Sequence, residues 1–295
     1  MTGAEITSDE LALILDRALE LKSDRWASRA LDRRTVALVF EKPSTRTRVS
    51  MEVAVAQLGG TPLVLREGET QLSRGESLRD FGLVLSRYVD AIGIRTASHE
   101  TLEGLAAHAS VPVINLLTAL HHPCQVLADL LTLRERFGRL EGLRLAYTGD
   151  GNNMVNSLML LGAKAGVEVA VATPAELLPD EELTASLNGK VTLTRDPAEA
   201  AAGAHALYTD VWVSMGDDDD VAETRRSLLA PYRLDEALLA RARPDAIALH
   251  CLPAHPGEEI TAEVLYGERS AVWDQAENRL HAQKALLEFL IGAAG

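Results

Sequence analysis

Six apolar or β-branched residues in succession, Thr35–Phe40 (TVALVF), run into a polar turn, and from Val49 to Leu58 apolar residues return at helical spacing. The change of period predicts a buried strand, a turn and an amphipathic helix. The alternation continues. Further strands are predicted at Pro62–Leu65, Ala91–Arg95 and Val111–Leu116, with helical patterns over 77–87 and 100–109 between them, after an opening amphipathic helix from Asp9 to Lys22. A longer helix, Gln125–Phe137, stops at Gly138, whose missing Cβ suits a C-cap.

A second series begins with the strand Leu143–Thr148. The helix Asn153–Ala165, the strand Val167–Ala172 and short strands near Ala206–Thr209, Ala246–His250 and Ala271–Trp273 follow, before a final amphipathic helix from Glu277 to Ile291. Short apolar strands separated by amphipathic helices point to parallel sheets covered on both faces. The expected fold is therefore α/β: two doubly wound domains with central parallel sheets and the active site in the cleft between them. Residues 1–138 form the first domain, with the C-terminal helix 277–295 packing back on it, and residues 139–276 form the second. In open sheets of this kind ligands bind beyond the carboxyl ends of the strands, where the chemically rich segments of this chain lie.

Composition narrows the function. With 295 residues, 47 % hydrophobic and 24 % charged, the chain can bury two ordinary cores and is not of the disordered class. A net charge of −14 argues against nucleic acid or an anionic membrane surface as partner. Cys124 and Cys251 have neither zinc nor disulfide spacing; the expected metal and cofactor complement is none. Neither a signal-peptide pattern nor a membrane-length apolar run is present, which places the expected location in the cytoplasm.

In so acidic a chain, Ser44-Thr45-Arg46-Thr47-Arg48 stands out. A strand-to-helix turn exposes unpaired N–H groups at the positive end of the helix dipole, and hydroxyls and guanidinium groups added there suit a phosphate-sized anion. A simple N-cap with solvated arginines would need only one of those hydroxyls. Arg95 closes a predicted strand, a place as compatible with a surface arginine as with a ligand contact. In His121-His122-Pro123-Cys124-Gln125 a proline suited to the first turn of a helix is flanked by two groups that can donate to a substrate oxygen; a polar loop with a solvated Asp129 is the bland reading. Gly149-Asp150-Gly151-Asn152-Asn153 resembles half of a dinucleotide fingerprint, but Met154 replaces its third glycine, and the paired asparagines suggest amide recognition of a polar ligand. Asp210 and Ser214 could bind an ammonium group, with Met215 against an aliphatic stem. His250 and Cys251 bring a thiol hydrolase to mind, yet neighbours on an extended strand point to opposite faces, which disfavours covalent catalysis.

Taken together and in this order, these segments resemble the aspartate/ornithine carbamoyltransferase family. The resemblance runs from Ser44–Arg48 through Arg95, His122–Gln125, Asn152-Asn153, Asp210–Gly216 and His250-Cys251-Leu252-Pro253 to Glu277-Asn278-Arg279, nearly the whole chain. The Ser-Met-Gly and His-Cys-Leu-Pro segments resemble the ornithine branch. The resemblance implies transfer of the carbamoyl group of carbamoyl phosphate to the δ-amine of L-ornithine, through a tetrahedral intermediate and without a covalent enzyme adduct. It implies carbamoyl-phosphate contacts from Ser44, Thr45, Arg46, Thr47, Arg95, His122, Gln125, Cys251, Leu252 and Arg279, and ornithine contacts from Asn152, Asn153, Asp210, Ser214 and Met215. Arg95, His122, Asp210 and Cys251 would be the catalytic groups, with Cys251 the usual proton acceptor and the leaving phosphate an alternative. A homotrimer is implied as well, with Gln71, on the loop Gly68–Ser77, reaching a neighbour's site.

Overall fold

The apolar run Thr35–Phe40 is strand β1 in the computed structural model, which describes residues 2–187, 189–213 and 219–292. The chain divides into two units, Met1–Leu131 with Asn278–Gly295, and Thr132–Glu277. It leaves the first within helix α5 (Pro123–Phe137) and returns to it within α12 (Val272–Gly292).

In the first unit, α1 (Ser8–Ser23) precedes β1, α2 (Thr45–Gln57), β2 (Thr61–Arg66), α3 (Leu78–Leu85), β3 (Ala91–Arg95), α4 (His99–Ala106) and β4 (Val113–Leu117). The sheet is parallel, in the order β2-β1-β3-β4. Because side chains alternate along a strand, β1 feeds two cores. Val36, Leu38 and Phe40 pack with Met51, Ala54 and Val55 of α2 and with Leu287 and Ile291 of α12. Ala37 and Val39 pack with Phe81 and Leu85 of α3 and with Leu102 and Leu105 of α4. A strand covered on both faces has no need of polar alternation, hence the unbroken apolar run.

The second unit carries β5 (Arg144–Thr148), α6 (Asn153–Lys164), β6 (Glu168–Ala172), α7 (Glu181–Ser186), β7 (Val191–Thr194), α8 (Pro197–Ala201), β8 (Ala206–Thr209), α9 (Asp219–Leu229), α10 (Glu236–Leu239), β9 (Ile247–His250) and α11 (Ala262–Leu265). Its strands are also parallel, in the order β7-β6-β5-β8-β9. One face is lined by small residues, among them Ala146, Ala170, Ala172 and Ala248, packed with Trp212, Leu229 and Tyr232. Each sheet reverses its winding once, between β1 and β3 and between β5 and β8. Beyond the ends of those strands, loops leave in opposite directions and open a crevice.

Two expectations change. Ala271–Trp273 is not a strand: Ser270 makes an isolated bridge to Ala248, and Val272 already opens α12. A short apolar run is equally a buried helix start, and its length cannot tell the two apart. In the other direction, β7 was not expected; its central residues are exposed, so it lacks the apolar signal of an interior strand.

The turn after β5 imposes a hard steric limit. A Cβ on Gly151 would lie 2.3 Å from the Leu177 carbonyl oxygen and 2.4 Å from the Pro179 nitrogen, both main-chain atoms. Gly151 N–H also donates to that carbonyl at 2.9 Å. Gly151→Ala should therefore destabilise the protein by about 1–3 kcal/mol in urea unfolding, the usual range for overpacking; an unchanged midpoint would contradict this packing.

Candidate active site

At the β1/β3 reversal the chain leaves Phe40 and turns into α2. Ser44 is the N-cap in an extended conformation (φ −156°, ψ 102°), but its side chain makes no capping hydrogen bond, and the first turn of α2 holds no acidic residue. Elsewhere in this unit Thr7, Ser77 and Ser98 cap α1, α3 and α4 with their hydroxyls. The α2 terminus thus keeps its orphan donors and the positive end of its dipole. The helix starts four residues earlier than the apolar spacing suggested, so Thr45, Arg46, Thr47 and Arg48 form its first turn. The two arginines then part company. Arg48 is spent on Glu52, its Nε donating at 2.8 Å in a surface i,i+4 pair, whereas Arg46 is exposed on that turn.

Thr47 is buried and joins a chain of contacts. Arg279, from α12 and only 3 % exposed, donates through Nη2 to Thr47 Oγ1 at 2.7 Å and through Nη1 to Gln125 Oε1. Gln125 Nε2 in turn donates to Asp129 Oδ1 at 2.9 Å. Gln125 lies in the first turn of α5, with Pro123 opening the helix and His122 just before it. Burial, and then the positive charges of Arg279 and Arg95, hold the His122 imidazole well below its usual pKa, so it is neutral and offers a single N–H donor. Arg95 ends β3 opposite Phe40, and its carbonyl accepts from Glu41 N at 3.0 Å, tying the turn to the reversal point. Thr47, Arg95, His122, Gln125 and Arg279 thus form one donor-rich cluster. A cavity of about 330 Å³ opens beside Ser44 and Thr45, with Lys42, Arg48 and Arg66 on its wall. Gln71 is exposed on a short 3-10 turn and accepts from Arg74 at 3.4 Å; no described hydrogen bond links it to the cluster.

The second unit repeats the logic with the opposite sign. Asn152 caps α6, its Oδ1 accepting from Met154 N at 2.9 Å and Val155 N at 3.4 Å, while its Nδ2 donates to Asp210 Oδ2 at 2.9 Å. Cap duty and a contact with the neighbouring carboxylate are therefore compatible in this residue. Asp210 follows β8 and is 6 % exposed; its Oδ1 accepts the Cys251 thiol at 2.7 Å and Val211 N at 2.8 Å. Cys251 follows β9, and the partnered Thr209 and His250 bring the two residues side by side. Leu252 comes next, in the left-handed region at φ 58°, its N–H donating to His250 Nδ1 at 2.8 Å. Asn153 opens α6, partly buried. Ser214 and Met215 lie outside the described residues.

The expected opposition of His250 and Cys251 needs refinement. One imidazole nitrogen lies within 4.8 Å of Cys251 Sγ and an Asp210 oxygen, a grouping of the kind that can hold a metal ion. Both nitrogens are committed, however. Nδ1 accepts from Leu252 N, so Nε2 carries the proton and donates to the buried Glu259 at 3.1 Å. With no lone pair to spare, His250 cannot serve Cys251 as a base. Two further residues escaped the sequence reading. Asp129, solvated only in the bland reading of its segment and given no role in the other, is fully buried. Arg225 pairs with Asp150 in the turn beside Asn152. A polar residue facing inward on an apolar helix gives no periodic signal of its own, and a long-range ion pair gives none at all.

Both parts of the chain match known proteins. Residues 1–135 match the family model described as "Aspartate/ornithine carbamoyltransferase, carbamoyl-P binding domain", and residues 141–290 match "Aspartate/ornithine carbamoyltransferase, Asp/Orn binding domain". The chain is 54 % identical over 299 residues to the ornithine carbamoyltransferase of Acidothermus cellulolyticus, covering 99 % of this chain and 96 % of that one. It is 55 % identical over 302 residues to that of a Parafrankia species, covering 99 % and 95 %. Among solved structures, the ornithine carbamoyltransferase of Pyrococcus furiosus superposes with a TM-score of 0.93 at 47 % identity, over 98 % of this chain and 95 % of that one. That of Thermus thermophilus gives 0.91 at 46 % identity, over 98 % and 97 %.

The two thiols should behave differently. Burial pushes the Cys124 thiol up to about 11, and its Sγ donates to the Asn115 carbonyl at 3.3 Å, whereas Cys251 is partly exposed. A thiol reagent at pH 8 should titrate one cysteine per native chain, identified as Cys251 by peptide mapping, and the second only after unfolding. Two fast thiols would contradict the burial of Cys124.

Proposed function

The chain belongs to the aspartate/ornithine carbamoyltransferase family, and from that premise we propose that it transfers the carbamoyl group of carbamoyl phosphate to the δ-amine of L-ornithine, yielding L-citrulline and phosphate. The observation that carries the reading is the division of labour just described. One unit presents cationic and neutral donors around the start of α2, and the other presents a buried carboxylate flanked by an amide and a thiol. Carbamoyl phosphate is an anion with a polarisable carbonyl. Ornithine brings two amines and a carboxylate.

In this reading the phosphate rests on Ser44, Thr45, Arg46 and Thr47, with Arg95 and Arg279 neutralising its charge. The carbonyl oxygen faces Thr47, Arg95 and His122, and the carbamoyl amine faces Gln125. When the amine of ornithine adds to the carbonyl carbon, negative charge grows on that oxygen, and donors already in place stabilise it without reorganising. A neutral His122 is the right form for this task because its N–H position is fixed rather than titrating near pH 7. The carbonyl then re-forms as the C–O bond to phosphate breaks. Cys251 and Leu252 border the same ligand. Ornithine is held by Asn152, Asn153 and Asp210, with Ser214 and Met215 on its α-amino-acid end. Its δ-amine, with a pKa of about 10 in water, must lose one proton before attack, and the same nitrogen sheds a second as the intermediate collapses. Asp210, Cys251 and the phosphate are the acceptors offered for these two protons.

The test is a citrulline assay with carbamoyl phosphate against ornithine, N-acetylornithine, aspartate and putrescine. Ornithine alone should be turned over well, and Arg46→Ala should lower kcat/KM by about 100-fold or more, the scale expected for removing a preorganised charge partner. Because Arg46 is exposed, its loss should leave the unfolding midpoint unchanged. Turnover within about twofold of the wild type, a change too small for a lost transition-state contact, would overturn the phosphate assignment.

We further infer a cytoplasmic homotrimer in which the exposed Gln71 serves the carbamoyl-phosphate site of a neighbour. No described helix is long and apolar enough to cross a membrane. Light scattering should give the mass of three chains of 31.8 kDa each. Gln71→Ala and Arg46→Ala, each strongly impaired alone, should recover activity when mixed and reassembled, since some hybrid sites then draw both native residues. Absence of recovery in confirmed hybrids would rule out the shared site.

A further inference from the structure

A carboxylate with no exposure is rare unless another group holds it. Asp129, 0 % exposed on α5, is such a group, and no step of the reaction above uses it. It stands one helical turn beyond Gln125 and accepts from Gln125 Nε2 at 2.9 Å. The other end of the same amide receives the Arg279 guanidinium, which also holds Thr47. A guanidinium can only donate, and the aspartate oxygen here accepts. The Gln125 amide therefore has one orientation that satisfies both partners: oxygen towards Arg279, nitrogen towards Asp129. Turned over, it would set N–H against N–H on one side and oxygen against oxygen on the other.

We propose that Asp129 is a positioning residue that sets the specificity of the carbamoyl-phosphate half-site: by holding Gln125 Nε2 it keeps Gln125 Oε1 as the group shown to the ligand, so the site takes an amine there and refuses a carboxylate. The inference rests on the reading that Gln125 meets the carbamoyl amine. An amide oxygen has two lone pairs; one receives Arg279 and the second remains for a carbamoyl N–H. A carboxylate oxygen in the same place would meet that lone pair with its own. Without an acceptor at position 129, only Arg279 still orients Gln125 and the buried Nε2 loses its partner, so the amide is held less firmly and the discrimination weakens.

Phosphonoacetamide and phosphonoacetate share a phosphonate and a methylene and differ in bearing an amine or an oxygen at that end. Their Kd values should be measured by titration calorimetry on the full-length protein and on Asp129→Leu, Asp129→Val and Asp129→Asn. Each variant's unfolding midpoint is checked alongside, and either apolar variant that folds suffices. The wild type should prefer the amide by about 10-fold or more, the scale of a hydrogen bond exchanged for a repulsive contact. The apolar variants should cut that ratio by about threefold or more, since one of the two restraints on the amide is then gone. Asp129→Asn, which keeps an acceptor oxygen, should hold the wild-type ratio to within about twofold. A purely architectural role for Asp129 would weaken both analogues equally and leave the ratio untouched. A discriminating wild type with equally discriminating Leu or Val variants, or an Asn variant that loses the ratio, overturns the proposal alone. A wild type indifferent to the two analogues overturns the Gln125 reading itself, and the proposal with it.

Discussion

The arrangement of the first unit depends on one buried cation. Arg279 is 3 % exposed, and taking a guanidinium out of water is costly unless its donors are met and its charge has work to do. Its hydrogen bonds to Thr47 and Gln125 reach the first turn of α2 and the first turn of α5 from a third helix, α12. These contacts fix the plane of the guanidinium and leave its formal charge in place. The field that results is felt by His122, whose protonation it opposes, and by the uncapped start of α2, whose dipole it reinforces. Each of these features looks unfavourable alone. A neutral buried histidine, a helix without a side-chain cap and a buried arginine become mutually consistent once an anion is the ligand.

The second unit answers with a carboxylate held from three directions. Asp210 receives Asn152 from the start of α6, Cys251 from beyond β9 and the main chain of Val211. Its position is over-determined, which suits the ammonium-binding role proposed for it. Asn152 is the economical part, because a single amide caps a helix with its oxygen and orients a carboxylate with its nitrogen. Substituting it would remove a cap worth about 1 kcal/mol and an Asp210 contact together, so stability and affinity at this point are not separable by mutation.

How far the sequence disclosed this follows from the physics of each signal. Strands buried on both faces announce themselves as apolar runs, which is why β1 and β5 were legible, while β7, exposed at its centre, was not. The concentration of hydroxyls and arginines at Ser44–Arg48 marked the turn, but composition could not divide Arg46 from Arg48; only the helix register, which sets Arg48 one turn from Glu52, does so. Strand periodicity placed His250 and Cys251 on opposite faces without foreseeing that the thiol would find Asp210 or that both imidazole nitrogens would be occupied. Asp129 was the plainest miss. Inward-facing polar residues are legible only through their partners, and partners distant in sequence, such as Arg279 for Gln125, leave no local trace.

The reversal points of the two sheets explain why the chemistry is scattered over so much of the chain. A parallel strand delivers its last residue to one edge of the sheet, and a crevice opens only where successive connections diverge. Each unit has one such place, at β1/β3 and at β5/β8. Residues that must converge there come from the ends of strands and the starts of helices far apart in sequence, Phe40 to Thr47, Arg95 and His122 to Gln125 in one unit, Thr148 to Asn153, Asp210 and Cys251 in the other. Arg279 adds a constraint of a different kind, because α12 brings it back to the first unit after the whole second unit has been threaded. The half-site proposed for the electrophile is therefore incomplete until the last helix has docked. A chain truncated before α12 would keep the α2 turn and Arg95 but lack the cation that orients Thr47 and Gln125, so closing the first unit's fold and assembling its ligand site are the same event.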